Sequence, residues 1–185
     1  MHPLPLEQLA DVTPILVKDK LKEEQFLRRR TKAFDSKLHS KKELQVLART
    51  MRRIMKRAEG IGLSANQVGL EGRFFVAEAP IAEGQKGRSK LHVLINPEIT
   101  RVSKEMTAQE EGCLSVPGLY GTVARHEKVT IEGTDAYGKK ITIRARGLLA
   151  RIFQHEMDHL NGVLFIDKAT EIHKTPDEES LNPKP

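Results

Sequence analysis

The chain has 185 residues, of which 38% are hydrophobic, and its 31 Lys and Arg against 25 Asp and Glu give a net charge of +6. This length fits one domain with a sizeable core, and the apolar content excludes a fully disordered chain. No run approaches the roughly 18 consecutive apolar residues of a membrane-spanning helix, and no secretory signal is visible near residue 1. The single cysteine, Cys113, precludes an internal disulfide and is typical of a reducing compartment.

The first predicted element is an amphipathic helix that begins after Ser40. Ser40 and Glu43 have the spacing of a capping box, in which each side chain bonds the backbone N–H of the other residue. Apolar residues then recur at helical spacing, and Gly60 is a natural stop. The apolar positions are Leu44, Leu47, Met51, Ile54, Met55 and Ala58. The opposite face carries Arg49, Arg52, Arg53 and Lys56.

The net positive charge of the chain lies in its N-terminal third. Residues 1–57 hold 15 Lys and Arg against 7 Asp and Glu, and they include the run Arg28-Arg29-Arg30. A solvated helix face is the simplest explanation. The alternative is contact with a polyanion such as RNA, made through its phosphates.

After Gly60 the pattern changes from helical to β. A polar loop at residues 81–90 separates the first two predicted strands, and Pro97 is expected to end the second of them. The last two strands alternate β-branched and polar residues around a turn and predict a hairpin. The predicted strands are 73–79, 91–95, 98–103, 128–134 and 140–146.

Helical spacing returns from Leu148 to Leu160 and ends at Asn161-Gly162. Strands in the middle of the chain with helices before and after them predict an α+β fold. We expect a single domain over residues 1–167, followed by a polar and loose C-terminal tail over residues 168–185.

The last helix contains His155-Glu156-Met157-Asp158-His159. Histidines four residues apart lie on one helical face, so both imidazoles can bind one metal ion. Glu156 is placed to act as a general base rather than as a ligand. The helix face that they share with Ile152 and Phe153 is expected to point into the core. Burying these polar side chains there would cost folding free energy unless they bind a ligand. A chance occurrence of the pattern on a solvated helix is the alternative.

Two histidines need a third ligand. Zincins draw it from a downstream Glu, for which Glu171 is available, and no third His follows at the metzincin spacing. The other candidate is Cys113, because a thiolate and two imidazoles hold a tetrahedral divalent metal and leave one position for water. A buried, inert thiol is the alternative for a single cysteine.

The segment Gly60-Ile-Gly-Leu-Ser-Ala-Asn-Gln67 follows the first predicted helix directly. It lacks Gly-Lys-Ser/Thr and a preceding strand, so a nucleotide site is not indicated. Its small residues allow a substrate backbone to approach closely, and Gln67 offers an amide N–H to a developing oxyanion. The alternative is a turn with a capping glutamine.

Together, the segments at 60–67, 111–115 and 154–160 resemble the three signature motifs of the peptide deformylases, in the order of that family. The residues at 94–97 and 147–150 are also similar to that family, and the resemblance runs from about Leu27 to Asp167. Two departures are visible. Ser64 stands where the family usually has Ala, a small change that is not expected to alter the chemistry. Glu24-Gln25 replaces a common Asp-Pro.

The resemblance implies antiparallel β-sheets packed around a central metal-binding helix, with the amphipathic helix on the N-terminal side. It implies removal of the formyl group from formyl-methionine of nascent polypeptides, with one divalent metal ion. That ion is Fe(II) in the typical enzyme, with Zn, Ni or Co as alternatives. The implied residues are Cys113, His155 and His159 as metal ligands, Glu156 as general base and acid, Gln67 and the Leu114 backbone N–H as oxyanion donors, and Ile61, Gly62 and Gly112 as strand-like partners of the peptide.

Two other functions remain open. An endopeptidase with the His-Glu-x-x-His pattern would need neither Gln67 nor Cys113. A metal-stabilised RNA- or ribosome-binding module is suggested by the basic N-terminal third, and an enzyme of nascent chains could dock on the ribosome through the same residues. We expect a bacterial cytoplasmic protein, with the mature form of an organellar protein as the alternative.

Overall fold

The computed structural model describes residues 14–80 and 89–174. Short 3₁₀ helices at Ser36–Leu38, Ala65–Val68 and Phe165–Asp167 connect the longer elements. In chain order the helices and strands are α1 (Leu21–Leu27), α2 (Lys41–Arg57), β1 (Gly62–Ser64), β2 (Phe74–Pro80), β3 (Ser89–Val102), β4 (Met106–Cys113), β5 (Val116–His126), β6 (Lys128–Thr134), β7 (Lys140–Arg146), α3 (Gly147–Leu160) and β8 (Ile172–Lys174).

The strands form two antiparallel sheets. A five-stranded sheet has the order β1-β2-β3-β6-β7, and a three-stranded sheet has the order β4-β5-β8. Helix α3 contacts strands of both sheets. Its buried residues pack with Phe75, Leu94 and Ile131 of the larger sheet in one core cluster. Among the described residues, the antiparallel sheets and three α-helices form a mixed fold, which confirms the predicted α+β class.

Helix α2 has the capping box that its sequence spacing predicts. Ser40 Oγ accepts from the Glu43 N–H at 3.2 Å, and Glu43 Oε2 accepts from the Ser40 N–H at 2.6 Å. The basic face of the helix is partly engaged, since Arg52 donates through Nε and Nη2 to the buried Glu78 at 2.7 and 3.1 Å. Lys56 Nζ lies 3.5 Å from the same carboxylate.

The predicted hairpin is confirmed as strands β6 and β7.

The prediction that Pro97 ends a strand is wrong. Strand β3 continues to Val102, and its pairing with β6 shifts register between Ile95 and Glu98. Asn96 has a φ of 50° at this irregularity. A bulge tolerates proline because the missing N–H is not needed for pairing there. The strand predicted at 98–103 is therefore the second half of β3.

The three-stranded sheet was not predicted from the sequence. Strand β4 is exposed at most of its positions and so lacks the apolar alternation that reveals a half-buried strand. Strand β8 corrects the prediction of a loose tail from residue 168, because Ile172–Lys174 pairs with Leu119–Gly121 of β5. All three β8 residues are exposed, so backbone pairing holds this strand rather than apolar burial.

Parts of two predictions lie outside the described residues: the tail at 175–185 and the loop at 81–88. Within the ranges that the structure does describe, no helix combines the length and the apolar character needed to cross a membrane.

Candidate metal centre and active site

Helix α3 and the end of β4 bring together the three predicted metal ligands. The ligand atoms of Cys113, His155 and His159 all lie within 4.8 Å of one another. Cys113 Sγ is 3.1 Å from His159 Nε2, at the junction between the two sheets. The alternative third ligand, Glu171, is exposed before β8 and is not part of this cluster.

This set of atoms fits a divalent transition metal. Two imidazoles and a thiolate are a known donor set of catalytic metal sites that keep one position open. Beside them the Glu156 side chain is 3% exposed, and its Oε2 has no hydrogen-bond partner among the described residues. A buried carboxylate oxygen without a partner is costly, so this atom indicates that the cavity holds a further polar group.

Glu111 fixes the orientation of His155. Its Oε2 lies 2.9 Å from His155 Nδ1, which leaves Nε2 of that ring for a metal ion. Arg125 donates to both oxygens of Glu111 at 2.9 Å, and Arg151 donates to Oε1 at 2.7 Å. Burial alone would raise the pKa of Glu111, but hydrogen bonds from Arg125 and His155 hold that pKa well below its usual range.

The sequence interpretation assigned no role to Glu111, Arg125 or Arg151. The signal available for Glu111 was its position two residues before Cys113, which places both side chains on the same side of an extended strand. No comparable local signal existed for the arginines, because their partners are distant in the chain.

Burial and near neighbours give the titratable groups of α3 different pKa values. Burial lowers the pKa of His155, but hydrogen bonds with Cys113 and Glu111 outweigh burial and raise it to about 10. Burial raises the pKa of Glu156 to about 7. Burial, together with the neighbouring His155, lowers the pKa of His159 well below its usual value. A bound metal would replace the proton on each ligand, so these shifts describe the metal-free protein.

Glu156 lies against β1. A Cβ atom added at Gly62 would collide with the Glu156 carboxyl group and with the Ile152 side chain. Glycine at this position therefore lets the β1 backbone approach the carboxylate closely. The general base expected from the sequence is thus placed beside the ligand cluster and at the edge of a strand.

Gln67 combines the two interpretations that the sequence allowed. Its Oε1 accepts from the Ser64 N–H at 2.9 Å, which is the bond of a capping glutamine. Its Nε2 donates to Ser115 Oγ at 3.1 Å and lies 3.8 Å from Cys113 Sγ. The side chain therefore caps the 3₁₀ helix Ala65–Val68 and also presents an amide N–H beside the metal ligands.

A cleft of about 570 Å³ opens beside these residues, between the edges of the two sheets. Among the described strands, β1 and β4 are each paired on one side only. All the predicted site residues line this cleft except His159, which is buried behind it. Those that line it are Ile61, Gly62, Gln67, Gly112, Cys113, Leu114, His155 and Glu156.

The pairing of β1 determines which backbone groups face the cleft. The Ile61 carbonyl accepts from the Glu78 N–H of β2 at 2.8 Å, and the Ser64 N–H turns the other way, to Gln67. Because backbone groups alternate in an antiparallel pair, the N–H and C=O of Gly62 point to the free edge. The side chain of Ile61 lines the cleft while its carbonyl is engaged with β2.

Comparison with known proteins gives consistent matches. The family model described as Polypeptide deformylase matches residues 18–175. The peptide deformylase of Halothermothrix orenii is 52% identical over 118 residues, which are 64% of this chain and 72% of that protein. The chloroplastic peptide deformylase 1B of Oryza sativa subsp. japonica is 42% identical over 140 residues, 76% of this chain and 49% of that protein.

A solved structure agrees with these sequence matches. The class I type b peptide deformylase from Acinetobacter baumannii with Met-Ala-Ser bound has a TM-score of 0.75 and 32% identity. The alignment covers 86% of this chain and 99% of that one.

Proposed function

This chain belongs to the polypeptide deformylase family, and we propose that the cleft between β1 and β4 is where it performs the family's reaction. The chain is an enzyme that removes the formyl group from N-terminal formyl-methionine of peptides. One observation supports the assignment to this cleft. The ligand atoms of Cys113, His155 and His159 cluster there, and the side chains of Glu156 and Gln67 lie beside them.

The proposed ligands of the metal ion are Cys113, His155 and His159. Fe(II) is the expected ion, and Zn, Ni and Co are the alternatives. When bound, such an ion supplies Lewis acidity, which lowers the pKa of a water molecule and polarises a carbonyl group.

Glu156 and the oxyanion donors perform the remaining steps. Glu156 takes a proton from the water that attacks the formyl carbon. As the formyl oxygen becomes negative, the Gln67 Nε2–H and the Leu114 backbone N–H donate hydrogen bonds to it. Glu156 then passes its proton to the departing amine, which is too poor a leaving group to depart as an anion.

The peptide is proposed to bind in extended form between the two sheet edges. The relative from Acinetobacter baumannii binds Met-Ala-Ser. In this chain, the outward-facing backbone of Gly62 on β1 and the backbone of Gly112 on β4 would pair with such a peptide as an added strand. Ile61 contributes its side chain to the wall of the cleft.

A formate-release assay tests this function against the peptidase alternative. The metal-loaded protein is incubated with formyl-Met-Ala-Ser and, as a matched control, with acetyl-Met-Ala-Ser. We expect formate from the first peptide and no cleavage of either peptide bond. Cleavage at internal bonds without formate would support the endopeptidase, and no reaction with the formyl peptide would overturn the proposal.

Replacement of Gln67 by Leu is expected to lower kcat by about 10²–10³-fold, the effect of one lost oxyanion donor. The leucine cannot donate to the formyl oxygen, while the ligands stay in place. Steady-state kinetics and metal analysis of the same preparation check this. A kcat within about threefold of wild type would contradict the role of Gln67 as a donor.

The iron-loaded enzyme is expected to lose activity in air faster than the nickel-loaded enzyme. A thiolate is readily oxidised, and Fe(II) reacts with oxygen where Ni(II) does not. Activity is followed in aerated and anaerobic buffer, with metal analysis of the anaerobically purified protein. Equal decay of both forms in air would contradict an Fe(II)–thiolate site.

A ribosome contact through the basic N-terminal third stays a prediction, as does a bacterial cytoplasmic location. Arg52 and Lys56 pair with Glu78 while their side chains stay half-exposed. Arg29 and Arg30 in the same third are exposed as well.

A further inference from the structure

The hydroxyl group of Ser64 occupies a fully buried position between two amide side chains. Ser64 is 0% exposed, and its Oγ lies 2.9 Å from Asn66 Oδ1 and 3.1 Å from Gln67 Oε1. Both amide oxygens are acceptors, so the hydroxyl group is the donor. The Glu156 carboxyl group is a further hydrogen-bond partner of the same hydroxyl group. An alanine at this position would leave both oxygens without that donor.

The donors of Ser64 decide which way the Gln67 amide points. A backbone N–H can only donate, so the Gln67 atom that faces the Ser64 N–H must be the oxygen. The Ser64 hydroxyl adds a second donor on the same side. The amino group is thereby turned toward Ser115 Oγ and Cys113 Sγ, to which it donates at 3.1 and 3.8 Å. The hydrogen of the longer contact, to the sulfur, is the one that would donate to the formyl oxygen.

Asn66 connects the same hydroxyl group to the helix that carries the metal ligands. Asn66 Nδ2 donates to the His159 carbonyl at 2.7 Å and to the Leu27 carbonyl at 3.3 Å. Because the amino group is engaged there, the Asn66 oxygen faces Ser64. One hydroxyl group therefore joins the end of α3 to the proposed oxyanion donor.

We propose that Ser64 is a positioning residue, whose hydroxyl group holds the Gln67 amide in the orientation that donates to the formyl oxygen. This inference rests on the proposed function and assigns a role to a residue outside the proposed ligands and oxyanion donors. Ser64 acts through Gln67 and does not touch the substrate. A donor held in place by the protein stabilises developing charge without reorganising during the reaction.

The kinetic test is Ser64→Ala, with Ser103→Ala as the matched control. Ser103 is a hydroxyl residue in the β3–β4 connection, bonded to Glu105 and Lys128, and does not line the cleft. We expect Ser64→Ala to lower kcat by about 3- to 10-fold, the effect of one neutral hydrogen bond, with KM unchanged. The control should change neither constant. A wild-type kcat for Ser64→Ala would overturn the inference, and thermal unfolding confirms that each variant is folded.

A double-mutant cycle separates positioning from a general structural effect. If Ser64 acts through Gln67, Ser64→Ala should lower kcat by less than about twofold when Gln67 is already Leu. Equal losses in both backgrounds would show that the hydroxyl group acts independently of Gln67.

A spectroscopic measurement tests the contact without relying on activity. In ¹⁵N–¹H spectra of the zinc-loaded protein, the Gln67 side-chain amide is assigned by its loss in Gln67→Leu. Ser64→Ala should shift this signal and speed its hydrogen exchange, whereas Ser103→Ala should not. An unchanged Gln67 signal would overturn the inference, whether or not the protein releases formate. A shifted signal in a protein that releases no formate would support the Ser64–Gln67 contact and contradict the proposed function.

Discussion

Glu156→Gln is expected to lower turnover by about 10²–10⁴-fold while the metal content stays near that of the wild type. The carboxyl group is buried against the Gly62 backbone, where glutamine has the same size and can still form hydrogen bonds. The amide cannot accept the proton of the attacking water or return it to the amine. Because Glu156 is not one of the three clustered ligands, its neutralisation should leave metal binding intact.

The measurement combines kcat on a formyl-Met peptide with metal analysis and thermal unfolding of the same sample. Glu132→Gln is the matched control, since Glu132 is exposed on β6 and takes no part in the cleft. The control should behave as wild type. Wild-type turnover in metal-loaded Glu156→Gln would exclude Glu156 as the proton carrier.

The features that the sequence predicted well depend on short spacings. The Ser40–Glu43 capping box and the β6–β7 hairpin are fixed by residues within a few positions of one another, so the pattern and the structure coincide. The four-residue spacing of His155 and His159 placed both rings on one helical face for the same reason. Cys113 was a candidate third ligand because a thiolate and two imidazoles can hold a tetrahedral divalent metal.

The features that the sequence did not predict depend on contacts between distant segments. Strand β4 is an exposed edge whose pairing with β5 leaves little apolar pattern. Glu111 meets Arg125 across the β4–β5 pair and Arg151 on α3, and neither contact has a local signal. Ser64 seemed a minor change from alanine in the sequence, since the acceptors around its hydroxyl group become visible only in the fold.

Glu111→Gln is expected to lower both the stability of the fold and the affinity for the metal ion. The buried carboxylate is the shared partner of Arg125 and Arg151, which are 4% and 7% exposed. Removing one partner of a buried ion pair leaves uncompensated charge and costs about 3–5 kcal/mol in the free energy of unfolding. Asp158 also pairs with Arg125 and will offset part of this cost.

The metal affinity should fall by about 10- to 100-fold, because a glutamine at 111 orients the His155 ring less firmly than a carboxylate does. Chelator competition measures the affinity, and denaturant unfolding of the metal-free protein measures the stability separately. The adjacent Glu110→Gln is the matched control. Glu110 pairs with His173 while both side chains are more than half exposed, so its loss should cost at most about 1 kcal/mol. If Glu111→Gln matched this control in both measurements, Glu111 would not be the group that organises the ligands, and the orientation of His155 would have to come from the packing of α3 alone.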